Sequence, residues 1–242
     1  MSDSWNTTTL AGHTVEVFTP KSPRGGAALL YLPAEGKRAS QNAALTAALN
    51  RFQLPAVSPA VAGTWWLDIV EPAFDAALPA LRLLADHVVP LIESQFGVSP
   101  PAIGLLGREV GGQGVLQLAY RQPRQFPAVA AIDPAIDFHE RYGSGTTLDD
   151  LFATREVARQ HTALLRMQGV GWPRRQLLLA DRENAWFDGA DRLDMKLRSM
   201  GIPLTSDFTS STGGDGDAFF AKHVAAAVEF LLTDRSLPIA SR

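Results

Sequence analysis

The 242-residue chain is 46 % hydrophobic and 19 % charged, carries a formal net charge of −3 and contains no cysteine. This composition excludes a disordered chain, disulfides, thiolate metal sites and a cysteine nucleophile, and without a basic block there is no electrostatic footprint for nucleic acid. No apolar run is long enough to span a bilayer and the N-terminus MSDSWNTTTL has no basic-plus-apolar leader, so a cytoplasmic chain forming one domain over residues 1–242 is expected.

Thr14 to Thr19 alternates as an edge strand does, and Pro20 to Gly26 is a turn-rich link. Ala27 to Leu32 predicts a buried strand, followed by the loop Pro33-Ala34-Glu35-Gly36. Helical spacing through Ala44, Leu45, Ala48 and Leu49 predicts a helix over Ser40 to Phe52, with Ser40 as its N-cap. A short strand at Leu54 to Ser58 leads into a loop carrying Trp65-Trp66-Leu67-Asp68. A long helix is expected within Ala76 to Phe96, with Pro79 near its start and a kink at Pro90.

The stretch Ala102 to Arg121, AIGLLGREVGGQGVLQLAYR, organises the chain. Ala102 to Leu106 is an apolar run without alternation, as in a central strand covered on both faces. After the turn, Val115, Leu116, Leu118 and Ala119 supply the apolar stripe of a helix. A strand turning sharply into a helix at G-x-X-x-G is a nucleophile elbow, whose middle residue is held exposed at the tip. That residue is Glu109 in Gly107-Arg108-Glu109-Val110-Gly111.

Downstream, Ala128 to Ile132 is a strand ending at Asp133-Pro134, and His139 to Gly145 is a loop. Leu148 to Met167 is polar and partly helical, which suits a small cap within residues 148–170. Gln176 to Ala180 and Leu204 to Phe208 are strands, Phe187 to Met200 is an amphipathic helix ended by Gly201, and Ala218 to Leu232 is the closing helix. Alternating strands and helices imply an α/β domain with a mostly parallel central sheet and helices on both faces.

From roughly Ala27 to Leu232 the chain resembles esterases of the esterase D-like branch of the α/β-hydrolases. The resemblance rests on the elbow segment GREVGGQGVLQLAYRQPRQFPAVAAIDPAIDF, on TWWLD at Thr64–Asp68 and on WFDGADRL at Trp186–Leu193. It implies the α/β-hydrolase fold and a Ser–His–Asp triad with a backbone oxyanion hole. The nucleophile position falls on Glu109. The acid falls on Asn184, with Asp181 as a second register, and the histidine falls on Asp215 in Gly213-Gly214-Asp215. All three triad members are thus replaced. The oxyanion-like positions are Val110 and Pro33; in the loop after the second strand the family usually has His-Gly or a similar pair, and this chain has Pro33-Ala34. The Arg often found after the Trp-Trp-x-Asp segment is Ile69 here.

The substitutions leave several chemistries open. Glu109 as a covalent nucleophile needs a histidine to activate water, and position 215 is a carboxylate. Glu109 and Asp215 as neighbours could share a proton and act as acid and base, with Asp215 the expected proton holder because the elbow helix favours the Glu109 anion. Oxygen ligands from Glu109, Asp215, Asn184 and Asp217 could hold a hard cation, although no compact metal motif is present. His139 could reach the pocket rim as a base or be a satisfied loop residue; His13, His87, His161 and His223 read as structural or solvent-facing rather than as ligands. Trp65 and Trp66 either line a ligand pocket or pack as a lid. The expected function is a non-serine, non-hydrolytic pseudo-enzyme that binds a small molecule or partner, without cofactor, metal, nucleic acid or membrane. The alternatives are a hydrolase using Glu109 and Asp215, acting on an ester, phosphoester or glycoside, and a structural, homo-oligomerising subunit.

Overall fold

The computed structural model describes residues 4–167 and 171–233. The strands are β1 (Ser4–Leu10), β2 (His13–Thr19), β3 (Ala28–Leu32), β4 (Ala56–Pro59), β5 (Ile103–Arg108), β6 (Ala128–Ile132), β7 (Arg175–Leu179) and β8 (Thr205–Asp207). They form one sheet in the order β1-β2-β4-β3-β5-β6-β7-β8. The first two pairings, β1–β2 and β2–β4, are antiparallel, and all later ones are parallel. The helices are α1 (Ala43–Phe52), α2 (Ala80–Leu83), α3 (Val89–Phe96), α4 (Val110–Arg121), α5 (Thr147–Leu151), α6 (Arg155–Arg159), α7 (Phe187–Ser199) and α8 (Gly216–Leu232).

Two apolar clusters fill the two faces of the sheet. One joins Leu30, Leu105 and Val129 to Val88, Ile92, Val115 and Leu197, so α3, α4 and α7 cover that face. The other joins Leu29, Leu106 and Ile132 to Leu45, Leu49, Phe220 and Val224, so α1 and α8 cover the opposite face. Neighbouring residues of a central strand therefore feed different clusters, which is why β5 reads as a continuous apolar run.

Four local expectations are corrected. The edge strand is β1 rather than β2; the hairpin turns at Ala11-Gly12, and the polar Asn6 to Thr9 run belongs to a solvent-facing strand. Ser40 does not cap α1. It sits in a 3₁₀ turn, Ala39–Gln41, and its hydroxyl donates to buried Glu16 at 2.6 Å, while Asn42 accepts from the Leu45 N–H as the N-cap. The kink assigned to Pro90 is a π turn over Leu84–Val88 between α2 and α3, where the missing Pro90 N–H and its ring displace the ordinary pairing. The closing helix starts at Gly216, two residues early, so Asp217 lies in its first turn.

The cap-like insertion consists of α5, α6 and a 3₁₀ turn at Ala163–Leu165; positions 168–170 of the expected cap lie outside the described residues. Its Leu148, Phe152 and Ala158 form a third apolar cluster with Leu67 and Phe138. Two buried glutamines of α4 latch it. Gln113 donates to the Trp65 carbonyl at 2.8 Å and accepts from the Ala163 N–H at 3.1 Å, and Gln117 donates to the His161 carbonyl at 2.5 Å.

Candidate functional site

Glu109 sits between β5 and α4 with φ 51° and ψ −118°, a conformation that side-chain-bearing residues rarely occupy. Its N–H donates to the Ile132 carbonyl at 3.1 Å, and its own carbonyl accepts from Gln113 at 3.0 Å and Ala135 at 2.9 Å. The turn is too tight for side chains on its flanks. A Cβ at Gly107 would stand 2.2 Å from the Gly111 carbonyl oxygen, and one at Gly111 would stand 2.2 Å from that of Leu32. The elbow geometry expected from the sequence is present.

Its chemistry is that of an ion-pair chain. Arg108 Nη2 lies 3.0 Å from Glu109 Oε1, with the arginine side chain 6 % exposed and the glutamate side chain 26 % exposed. Arg108 Nη1 donates to Asp217, whose second oxygen accepts from Lys37 Nζ at 3.2 Å. The Arg108 and Lys37 hydrogen bonds hold the Asp217 carboxyl below its ordinary value. Burial works against the Arg108 charge, and Asp217 and Glu109 more than offset it.

Glu109 and Asn184 converge on the first residue of α8. A methyl group at Gly216 would lie 3.4 Å from Glu109 Oε1 and 3.5 Å from Asn184 Nδ2. Asp215 is adjacent in sequence, but its carboxylate is turned onto α8 and accepts from the Asp217 and Ala218 N–H groups, each at 3.0 Å. Asn184 Oδ1 accepts from the Trp186 N–H at 2.9 Å. Of the two oxyanion-like positions, Val110 is the first residue of α4 and retains an amide free of intrahelical bonding, whereas Pro33 has none.

Both tryptophans are held by packing contacts. Trp66 is 2 % exposed and packs over Gly114, where a Cβ would be 2.6 Å from its Cγ. Trp65 stacks on Phe138 with centroids 5.4 Å apart and donates from Nε1 to Thr147 at 2.9 Å. Both are lid and core residues. His139 is buried, with Nε2 3.4 Å from Glu140 Oε1, and burial lowers its pKa. Among the described residues no histidine is hydrogen-bonded to Glu109, Asn184 or Asp215, and no group of three or more His, Asp or Glu side chains is arranged to hold a metal.

Three buried carboxyls organise the loops around the site; of these the sequence offered only Asp181, as the second register for the acid. Asp133, at the end of β6, is 1 % exposed; Oδ1 accepts from the Asp181 N–H at 2.9 Å, and Oδ2 has no partner among the described residues. Burial, helped by the charges of Asp181 and Glu109, pushes its pKa up to about 7. For Asp181, burial pushes up, but N–H groups of Glu183, Thr212 and Gly214 win and hold it well below the carboxylate range. It therefore orders the loop before α8. Glu71 accepts from Thr64 Oγ1 and from the Trp65 and Leu67 N–H groups, fixing the tryptophan loop. The usable signal for Asp133 and Asp181 was position, since each ends a central parallel strand at its C-terminal edge, where open α/β sheets place their sites.

A cleft of about 410 Å³ opens on the α1–α8 side of the elbow, lined by Tyr31, Lys37, Arg38, Asn42, Arg108 and Asp217 among others. It falls within the size range of small-molecule sites.

The family described as "Putative esterase" matches residues 27–237. No curated protein matches the chain. Among solved structures, the fluorophosphonate-binding serine hydrolase FphF of Staphylococcus aureus is similar with a TM-score of 0.79 at 10 % identity, covering 96 % of this chain and 99 % of that one. A ferulic acid esterase matches with a TM-score of 0.75 at 13 % identity over 95 % of this chain and 97 % of its own. An S-formylglutathione hydrolase from Agrobacterium tumefaciens matches with a TM-score of 0.69 at 15 % identity over 94 % of each chain. At these identities the structural likeness establishes the α/β-hydrolase fold.

Proposed function

We propose that this chain, which belongs to the esterase family matched over residues 27–237, is a member retired from serine ester hydrolysis that binds a small molecule in the cleft beside its elbow. The observation that carries this reading is the Arg108 clamp. The elbow-tip carboxylate is paired with a buried guanidinium that also holds Asp217, and among the described residues no histidine is hydrogen-bonded to it. A carboxylate nucleophile needs a base to activate water against its ester, and among the described residues no histidine is placed beside Glu109 for that role. The Glu109–Asp215 acid–base alternative requires Asp215 to leave the α8 amides that it caps.

The test is hydrolysis of a panel of chromogenic esters, phosphoesters and glycosides by wild type, Glu109→Gln and Asp215→Asn, together with fluorophosphonate labelling. No turnover above background and no label at the elbow are expected. A hundredfold loss of a measurable wild-type activity in either variant would establish a carboxylate enzyme and overturn the proposal.

A further inference from the structure

A second charged constellation lies at the other end of α4, about 18 Å along the helix from Glu109. Arg82 Nε is 3.1 Å from Asp68 Oδ1, and Arg121 Nε is 3.7 Å from Asp68 Oδ2. Arg121 Nη1 donates to Gln117 Oε1 at 2.5 Å, and Gln117 Nε2 donates to the His161 carbonyl at 2.5 Å. His161 Nδ1 in turn lies 3.3 Å from Arg166 Nη2. The run thus joins the tryptophan loop, the last turn of α4 and the end of the cap. It contains three guanidinium groups and a single carboxylate.

The run is a local excess of positive charge in a chain whose net charge is −3. Asp68 is shared between two arginines, and among the described residues it makes no ion pair with the third. Arg166 Nε is buried without an acceptor among the described residues. Burial, followed by the positive charge of Arg166, lowers the Arg121 pKa, and burial, Arg166 and Arg121 together lower that of His161. The carbonyls ending α4 offset part of the Arg121 charge. Guanidinium forks match the oxygens of a tetrahedral anion, and several of them converging favour a doubly charged one.

We propose that Arg82, Arg121 and Arg166 bind a tetrahedral dianion of the phosphate class, with Asp68 as the internal carboxylate that competes for the same guanidinium groups. The site is independent of the elbow cleft and of the proposed loss of hydrolysis.

The probe is inorganic phosphate, titrated calorimetrically into the full chain at constant ionic strength so that screening does not imitate binding. Saturable one-to-one binding is expected in wild type. Arg121→Gln and Arg166→Gln should each weaken it at least tenfold, and Asp68→Asn should tighten it severalfold by removing the competitor. Lys37→Gln, in the elbow cleft, should leave it unchanged. A non-saturating titration in wild type overturns the proposal. So does saturable binding that survives both arginine substitutions, or binding that only Lys37→Gln abolishes, which would place the anion at the elbow. Using two separate arginine variants keeps the test informative if one of them fails to fold.

Discussion

Arg108 and Glu109 are consecutive residues whose side chains meet, Nη2 to Oε1 at 3.0 Å, across the tight turn between β5 and α4. Successive residues of a strand point to opposite faces, so this meeting depends on the Glu109 backbone leaving the extended region. The elbow's strained conformation, which in an esterase presents a nucleophile, here folds a carboxylate back onto its neighbour. Strain of this kind stores about 1–3 kcal/mol. Glu109→Gly relieves it and forfeits one partly exposed ion pair, so a net gain near 1 kcal/mol is expected, read as a rise of about 2–4 °C in the melting temperature. A fall would show that the ion pair outweighs the backbone strain.

Asp133 provides a pH dependence of definite sign. Its pKa is pushed from an ordinary 3.8 up to about 7 in the folded state. The folded form then holds a proton that the unfolded form has released, and the stability cost grows as pH rises from 3.8 to about 7 and is complete above that. Asp133→Asn removes the charge and keeps an oxygen for the Asp181 N–H. The variant should melt a few degrees above wild type at pH 8, with the advantage shrinking towards pH 4. An advantage that does not vary with pH would contradict the assignment.

Gln113 ties the cap to the elbow helix through both ends of its amide. Gln113→Ala strands the Trp65 carbonyl and the Ala163 N–H in buried surroundings, a cost of about 2–3 kcal/mol. Hydrogen exchange should report it locally, with the Ala163 amide and its cap neighbours losing protection well before the central strands do.

Asp215 separates a capping role from a catalytic one. Asp215→Ala should cost about 1 kcal/mol through loss of the α8 cap, while Asp215→Asn should recover most of it, because asparagine caps nearly as well. Chemical denaturation measures the difference. A carboxylate needed for acid–base work would be damaged equally by both changes in an activity assay.

The central sheet was legible because β3, β5, β6 and β7 are short apolar runs between turn residues, and burial on both faces leaves them little room for polar side chains. The elbow was legible because Gly107 and Gly111 are demanded by backbone contact rather than by preference. β1 was not, because a solvent-facing edge strand of Asn and Thr carries no hydrophobic period. At the site, the family resemblance pointed to Glu109, Asn184 and Asp215 but could not tell which way their side chains turn. Two of the three are spent on backbone N–H groups, a matter of rotamer and loop geometry. The partners that decide the chemistry, Arg108 with Asp217 and Asp133 with Asp181, are separated by 109 and 48 positions and meet only through the sheet and α8.

Glu16 gives the antiparallel margin of the sheet a stake in the cleft. Fully buried in β2, it accepts from Arg38 Nε at 2.9 Å and from the hydroxyl and N–H of Ser40, so it anchors the segment that walls the cleft next to Lys37. The shape of that wall is therefore set from outside the parallel sheet, by a hairpin lying before the residues that match the esterase family. Changes within that hairpin would therefore reshape the cleft wall while the elbow stays untouched.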